Sequence, residues 1–270
     1  MARTSTGTGI PLWLLPNVFS LDAPLVALAW QHLLAKQFEI PLALAGRLVL
    51  GLTVWAIYLI DRLLDVRDPQ RAQETARHRF YQNHRHAAFV LLAAVLAADI
   101  VALIELRPAV FHAGLVPLAG VIAYLIVVHA NPRLRLPKEI AVALLFTAGT
   151  FVVAWARTTD PVLQLAGPAL AFFCLCVLNL STIELWESRE LESRASEPHT
   201  AVVYIGKLYP LFAGSLILLG LLNLDSLWDR GIGLSAGATA LLYATGTRFP
   251  LDLRRAAVDA VLLIPLLFLL

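Results

Sequence analysis

The sequence predicts an all-α integral membrane protein, a bundle of about nine transmembrane helices around a central cavity that opens to the cytoplasmic side. Three observations predict this fold. The 270 residues are 59% hydrophobic and 15% charged, with a mean hydropathy of +0.74, whereas soluble proteins carry about 25% charged residues. The apolar residues lie in runs close to the length of about 20 residues that a helix needs to cross a bilayer. The clustered polar residues lie at predicted helix ends, and these ends share one side of the membrane.

The chain divides into a short N-terminal segment and one polytopic domain. We expect residues 1–19 to form a tail and an interfacial segment, with Trp13 at headgroup level. Residues 20–270 form a single transmembrane domain. Its nine candidate spans, taken in order, are residues 20–37, 41–61, 86–105, 109–129, 138–156, 162–184, 201–222, 232–247 and 256–270.

The distribution of basic residues predicts the orientation. With the N-terminus in the cytoplasm, the nine spans place most of the 21 Lys and Arg residues in cytoplasmic loops. The basic residues left on the outer side are Lys36, Arg47, Arg107, Arg157 and Arg230. Positive charge is retained inside. We therefore expect a multi-pass protein of a bacterial or archaeal plasma membrane with a cytoplasmic N-terminus.

The end of the second span carries three carboxylates. Asp61, Asp65 and Asp68 are spaced by four and three residues, so they share one face of a helix with about 3.6 residues per turn. Like charges on one face repel one another, and a divalent cation would relieve this repulsion. The alternative is a solvated helix end at which Arg62 and Arg67 neutralise the acids.

A second polar group ends the sixth span. At about 100° per residue, Asn179, Glu187 and Glu190 fall within an arc of roughly 80°, whereas Glu184 lies outside it. We interpret these three as a second group of candidate ligands, and we expect the two acidic helix ends to face each other across a cavity. The alternative is a polar helix terminus without a ligand.

The composition excludes other kinds of site. A net charge of +2 with dispersed basic residues does not indicate nucleic-acid binding. Cys174 and Cys176 lack further ligands at the tight spacing of a zinc site. Two carboxylate groups with Lys and Arg between them suit a diphosphate held through Mg²⁺, because Mg²⁺ prefers hard oxygen ligands and binds phosphates. In a membrane, such a diphosphate would carry an apolar tail.

These residues resemble a known family. Asp61-Arg62-Leu63-Leu64-Asp65 is similar to the D-R-x-x-D core of the UbiA superfamily of intramembrane prenyltransferases, which are nine-helix bundles with two Asp-rich motifs after the second and sixth helices. Lys138 and Gly149 resemble the Lys and Gly of the family's fifth helix, and Arg77 falls where the family uses Arg near the diphosphate. The chain departs from the family pattern at Ile57, where Asn is usual, and in the second motif, which contains no Asp.

The resemblance implies an enzyme that moves an isoprenyl group from an allylic prenyl diphosphate to a lipid-soluble acceptor. Asp61 and Asp65 would be the catalytic residues, and Arg62, Arg77 and Lys138 would bind the diphosphate. Mg²⁺ would be held by the following residues: Asp61, Asp65 and Asp68, and then Asn179, Glu187 and Glu190. Membrane lipids would be the surrounding partners.

Two alternatives belong to other functional classes. A non-catalytic UbiA-like protein that binds an isoprenoid or phospholipid headgroup would tolerate the missing Asn and Asp residues. A small-molecule transporter would also carry ionisable groups in its spans, but we find no internal repeat of the kind that many transporters show.

Overall fold

The computed structural model describes residue 11 and residues 14–66, 76–130, 137–190 and 199–269, with residues 76–78 described as backbone only. Within these residues the chain forms α-helices and no strand. The helices are α1 (Leu15–Val18), α2 (Asp22–Gln37), α3 (Leu44–Asp65), α4 (Ala76–Asn83), α5 (Arg85–Ile104), α6 (Pro108–Ala130), α7 (Lys138–Arg157), α8 (Pro161–Glu190), α9 (Thr200–Lys207), α10 (Tyr209–Leu222), α11 (Leu227–Thr245) and α12 (Leu251–Val261). Short 3₁₀ turns follow at Gly246–Arg248 and Ile264–Phe268.

Five of these helices are long and apolar enough to cross a membrane, namely α3, α5, α6, α7 and α8. The pair formed by α9 and α10 would count as a sixth span, although the two helices meet at an angle of 68°. This confirms a helical, multi-pass membrane protein. Of the other described helices, α2 and α12 are too short to pass the same test, and α11 is not apolar enough. The described helices therefore support five or six spans, fewer than the nine predicted.

Proline residues explain where the helices depart from the predicted boundaries. The predicted run 201–222 is broken at Leu208, just before Pro210 in the first turn of α10. The predicted helix 256–270 is wrong in its bounds, because α12 begins at Leu251 and ends at Val261. Pro265 opens the 3₁₀ turn that follows. A proline lacks the N–H that a continuing helix would use and clashes with the preceding turn.

The core is a cluster of aromatic rings where α2, α7, α8 and α11 meet. Trp30 packs against Phe172 and Trp228 with ring centroids 4.8 and 5.1 Å apart, and Phe151 packs edge-on against Trp228 at 5.5 Å. The indole N–H of Trp30 donates to the carbonyl of Leu262 at 2.8 Å. A buried indole normally finds such a partner. This bond joins the residue that follows α12 to α2.

The same packing gathers polar helix ends at one end of the bundle. Helix α3 packs against α2 and α5, α6 against α7, and α7 against α8. Helix α12 runs antiparallel to the last turns of α8, because Glu190 meets Arg254 while Asn179 meets Val258, further along α12. Helix α4 lies beside α1 and α3, and its buried Tyr81 hydroxyl is 3.3 Å from the hydroxyl of Ser20.

The described residues give no direct support for the predicted central cavity. A cleft of about 310 Å³ lies near the beginning of α3, at the end of this helix away from Asp61 and Asp65. It is lined by His32, Lys36 and Arg47 among others. Of the predicted tail and interfacial segment, 1–10 and 12–13 lie outside the described residues. The described part of this segment, residue 11 and residues 14–19, includes α1.

Two glycines allow helices α10 and α11 to approach closely. Helices α10 and α11 pack with their backbones in contact at Gly220 and Gly233. A Cβ atom on Gly220 would lie 2.8 Å from the Cα of Gly233 and 2.7 Å from the carbonyl oxygen of Asp229. Small residues at such crossings let helices in membranes approach closely.

We expect Gly220→Ala to separate these helices, because the added methyl group would meet backbone atoms that cannot rotate away. Overpacking of this kind costs about 1–3 kcal/mol. The measurement is the apparent melting temperature of the detergent-solubilised protein. The matched control is Gly214→Ala on the same helix, where a Cβ meets no atom within 4 Å. Equal melting temperatures for the two variants would contradict the predicted crossing.

Candidate functional site

The first acidic pair lies in the last turns of α3 and encloses an arginine. The Nη1 atom of Arg62 donates to Oδ2 of Asp65 at 3.0 Å and lies 3.4 Å from Oδ2 of Asp61. The Arg62 side chain is 12% exposed, less than either carboxylate. The spacing therefore brings the two acids to one face, as predicted, and one guanidinium partly neutralises both.

A histidine from another helix completes this group. Nε2 of His129, at the end of α6, lies 4.0 Å from Oδ1 of Asp65. Nδ1 of the same ring is 2.9 Å from the carbonyl of Leu125. A carbonyl only accepts, so Nδ1 carries a proton and donates, and Nε2 faces Asp65. The possible ligand atoms of Asp61, Asp65 and His129 all lie within 4.8 Å of one another.

This donor set fits a divalent cation. Two carboxylate oxygens and an imidazole nitrogen are common ligands of divalent metals in proteins. The hydrogen bond from Nδ1 to a backbone carbonyl is the usual way in which a ligating histidine is oriented. Asp68, the third predicted ligand on this face, lies outside the described residues, as does Arg67.

More carboxylates surround the first group than the spacing predicts. The Nδ2 group of Asn17 is 2.8 Å from Oδ2 of Asp22 and 3.5 Å from Oδ2 of Asp259. Tyr58, one turn before Asp61, lies within electrostatic range of Asp22, Asp259 and Asp61. The beginning of α2 and the end of α12 therefore both lie near Tyr58 of α3.

The predicted second group shares one face, and that face contacts α12. The Asn179 amide donates to the carbonyl of Val258 at 2.8 Å. Glu187 forms an ion pair with Arg255 at 2.8 Å, and Glu190 forms one with Arg254. The helical arc therefore identified the shared face of these three residues correctly. In the structure their contacts are with α12, and none of the described groups that could hold a metal includes them.

Glu184, outside that arc, points toward the beginning of α7. It lies within electrostatic range of Lys138 and Glu139 as well as Glu187. Oε2 of Glu139 is buried and has no hydrogen-bond partner among the described residues. Tyr124 lies within range of both Glu139 and Asp61. Tyr124 of α6 and Glu139 of α7 therefore lie near residues of both acidic groups.

The predicted diphosphate-binding residues fall into two cases. Arg62 and Lys138 are described, with Lys138 exposed at the first position of α7. Arg77 lies in α4, whose backbone packs against α3, but its side chain is not described. These positions place positive charge at the same end of the bundle as Asp61 and Asp65.

Sequence reasoning missed His129 and Glu139. One signal could have identified them: His129 nearly ends the fourth apolar run and Glu139 nearly begins the fifth. In alternating spans these ends lie at the same face as the end of the second span. Their contacts with α3 and α8 required the packing of the helices.

Comparisons of the chain with protein-family models, with curated proteins and with solved structures give no match. Membership of the UbiA superfamily therefore stays a prediction.

We expect Asn179→Asp to destabilise the protein, because a carboxylate cannot donate to the Val258 carbonyl and would be buried beside it. Leaving such a group unsatisfied costs about 3 kcal/mol. The measurement is the apparent melting temperature in detergent. The control is Asn223→Asp, where an exposed amide makes the same kind of backbone bond at 3.3 Å. An unchanged melting temperature together with tighter Mg²⁺ binding in Asn179→Asp would instead identify residue 179 as a cation ligand.

Proposed function

We propose that this protein is a Mg²⁺-dependent intramembrane prenyltransferase that moves an isoprenyl group from an allylic prenyl diphosphate to a lipid-soluble acceptor. The observation that carries the proposal is the cluster of Asp61, Arg62 and Asp65 at the end of an apolar helix, joined there by His129. Ionisable groups at membrane depth cost about 2.5–3.5 kcal/mol each, so clusters of them indicate function.

The proposal includes the family and the topology expected from the sequence. The chain would be a divergent member of the UbiA superfamily with nine spans, a cytoplasmic N-terminus and a cavity between the acidic helix ends. Support comes from the order of the described helices, which follow the predicted runs closely up to α8. Further support comes from the polar residues of α3, α6, α7 and α8, which lie at one end of the bundle.

The reaction breaks the bond between the allylic carbon and the diphosphate oxygen, and the electron pair leaves with the diphosphate. The acceptor then donates an electron pair to the allylic cation and loses a proton. Arg62 and Lys138 would bind and orient the diphosphate, because guanidinium and ammonium groups pair well with phosphate oxygens. The apolar helix faces would exclude water from the cation. Mg²⁺, held by Asp61 and Asp65, would supply positive charge that stabilises the departing diphosphate.

One observation favours the alternative of a non-catalytic UbiA-like protein that binds an isoprenoid or phospholipid headgroup. In the proposed enzyme, Asn179, Glu187 and Glu190 hold a second cation. In the structure, Glu187 and Glu190 are paired with Arg255 and Arg254. A protein that only binds the headgroup would not need to release these ion pairs. A transporter ranks third, since nothing in the described residues favours it.

The test is Mg²⁺-dependent release of pyrophosphate from allylic diphosphates of several chain lengths, with a membrane-lipid extract supplying acceptors. We expect Asp61→Asn to lower the rate at least about 100-fold, because the variant would hold Mg²⁺ less well and so lose the positive charge that stabilises the leaving group in the transition state. Asp225→Asn, at an exposed carboxylate far along the chain, is the control and should keep the wild-type rate.

The outcomes separate the candidates. Pyrophosphate release that Asp61→Asn abolishes supports the enzyme. Diphosphate binding that depends on Asp61 without any release supports the lipid-binding alternative. An equal rate in wild type and Asp61→Asn would overturn the catalytic role of this cluster.

A further inference from the structure

We propose that His129 is a ligand of the cation held by Asp61 and Asp65, and that this site consequently prefers a transition-metal ion such as Mn²⁺ to Mg²⁺. The inference deepens the proposed function and rests on its cation site. It does not depend on whether prenyl transfer takes place there.

The geometry brings three ligand atoms from two helices to one point. Nε2 of His129 and Oδ1 of Asp65 are 4.0 Å apart. Two ligand atoms on one ion, each about 2.1 Å from it, can be up to about 4.2 Å apart. The complete set of three spreads over no more than 4.8 Å, so small side-chain rotations would bring all three atoms to one ion.

The imidazole is oriented for this role by a contact outside the cluster. The hydrogen bond from Nδ1 to the Leu125 carbonyl fixes the ring and its tautomer. When the ring is neutral, the lone pair of Nε2 is therefore on the side of the ring that faces Asp65. The side chains of His129 and Asp65 are only 25% and 19% exposed, so water competes less than at a fully exposed site.

Arg62 and His129 lie on different sides of the Asp65 carboxylate. Its guanidinium contacts the Oδ2 atoms of Asp61 and Asp65, whereas His129 faces Oδ1 of Asp65. The arginine and the histidine therefore lie against different oxygens of the same carboxylate. An ion on the His129 side would not have to displace the arginine.

The nitrogen ligand decides which metal is preferred. Mg²⁺ selects oxygen ligands, keeps several waters and gains little from imidazole. Later first-row ions bind imidazole more strongly, and a set of carboxylates with one histidine suits them. Mn²⁺ also binds carboxylate and phosphate oxygens well, so the preference is compatible with a diphosphate at the same site.

The experiment measures Mn²⁺ and Mg²⁺ binding separately to the full-length protein in detergent, without any substrate. We expect wild type to bind Mn²⁺ more tightly than Mg²⁺, and His129→Ala to raise the Kd for Mn²⁺ at least about tenfold with little change for Mg²⁺. The control is His112→Ala, an exposed histidine near the other end of α6, which should bind both ions like wild type. His129→Asp, which restores an oxygen ligand, should lower the preference for Mn²⁺ over Mg²⁺.

A spectroscopic readout identifies the ligand directly. Pulsed electron paramagnetic resonance of bound Mn²⁺ should show coupling to a coordinated ¹⁴N nucleus in wild type and in His112→Ala, and no such coupling in His129→Ala. A nitrogen signal that persists in His129→Ala would overturn the inference. So would Mn²⁺ binding that is lost in Asp61→Asn and unchanged in His129→Ala, since His129 would then form only an ion pair with Asp65.

These results are independent of the proposed reaction. Mn²⁺ held through His129 without pyrophosphate release would leave the inference standing and overturn the enzyme. Pyrophosphate release supported equally by Mg²⁺ and Mn²⁺, and unaffected by His129→Ala, would support the enzyme and overturn the inference. A wild-type protein that binds neither ion would overturn both.

Discussion

Charged side chains on apolar helices need partners within the fold, and this requirement governs how the helix ends of this protein meet. A lone charge in a membrane-spanning helix costs about 2.5–3.5 kcal/mol. Asp61 and Asp65 share Arg62, and Glu187 and Glu190 meet arginines of α12. Within the apolar stretch of α5, Asp99 accepts a hydrogen bond from Thr53 of α3 at 2.8 Å. The pairs made by Glu187, Glu190 and Asp99 each join two different helices.

The same requirement explains why α12 lies against the end of α8. The first residues of α12 include Arg254 and Arg255, which the carboxylates at the end of α8 hold in place. Arg254 is 3% exposed and its guanidinium stacks over the ring of Trp186. The side-chain amide of Asn179 satisfies one of the last four carbonyls of α12, which a helix leaves without internal partners. Beyond α12, the bond from Trp30 to Leu262 ties the chain to the aromatic core.

The sequence predicted those features that depend on the residues of a single helix. Runs of apolar residues located α2, α3 and α5 to α8 to within a few residues, apart from the extension of α8 through Glu190, whereas the short helix α4 was not predicted. The helical period placed Asn179, Glu187 and Glu190 on one face. The partners of that face could not be predicted, because a period identifies which residues point together and not which helix packs against them. His129 was missed for the same reason, since it lies far from Asp65 in the sequence and meets it only through the packing of the helices.

The arginine between the two aspartates is compatible with a cation site. Asp61 and Asp65 together carry two negative charges and Arg62 carries one positive charge, so Arg62 alone does not neutralise the pair. That residual charge attracts a cation and repels a free diphosphate. A diphosphate can therefore approach these carboxylates only when additional positive charge lies between them. Arg62 pairs with both carboxylates at the helix end, while Oδ1 of Asp65 lies on the side of His129, where the proposed divalent ion would bridge protein and substrate.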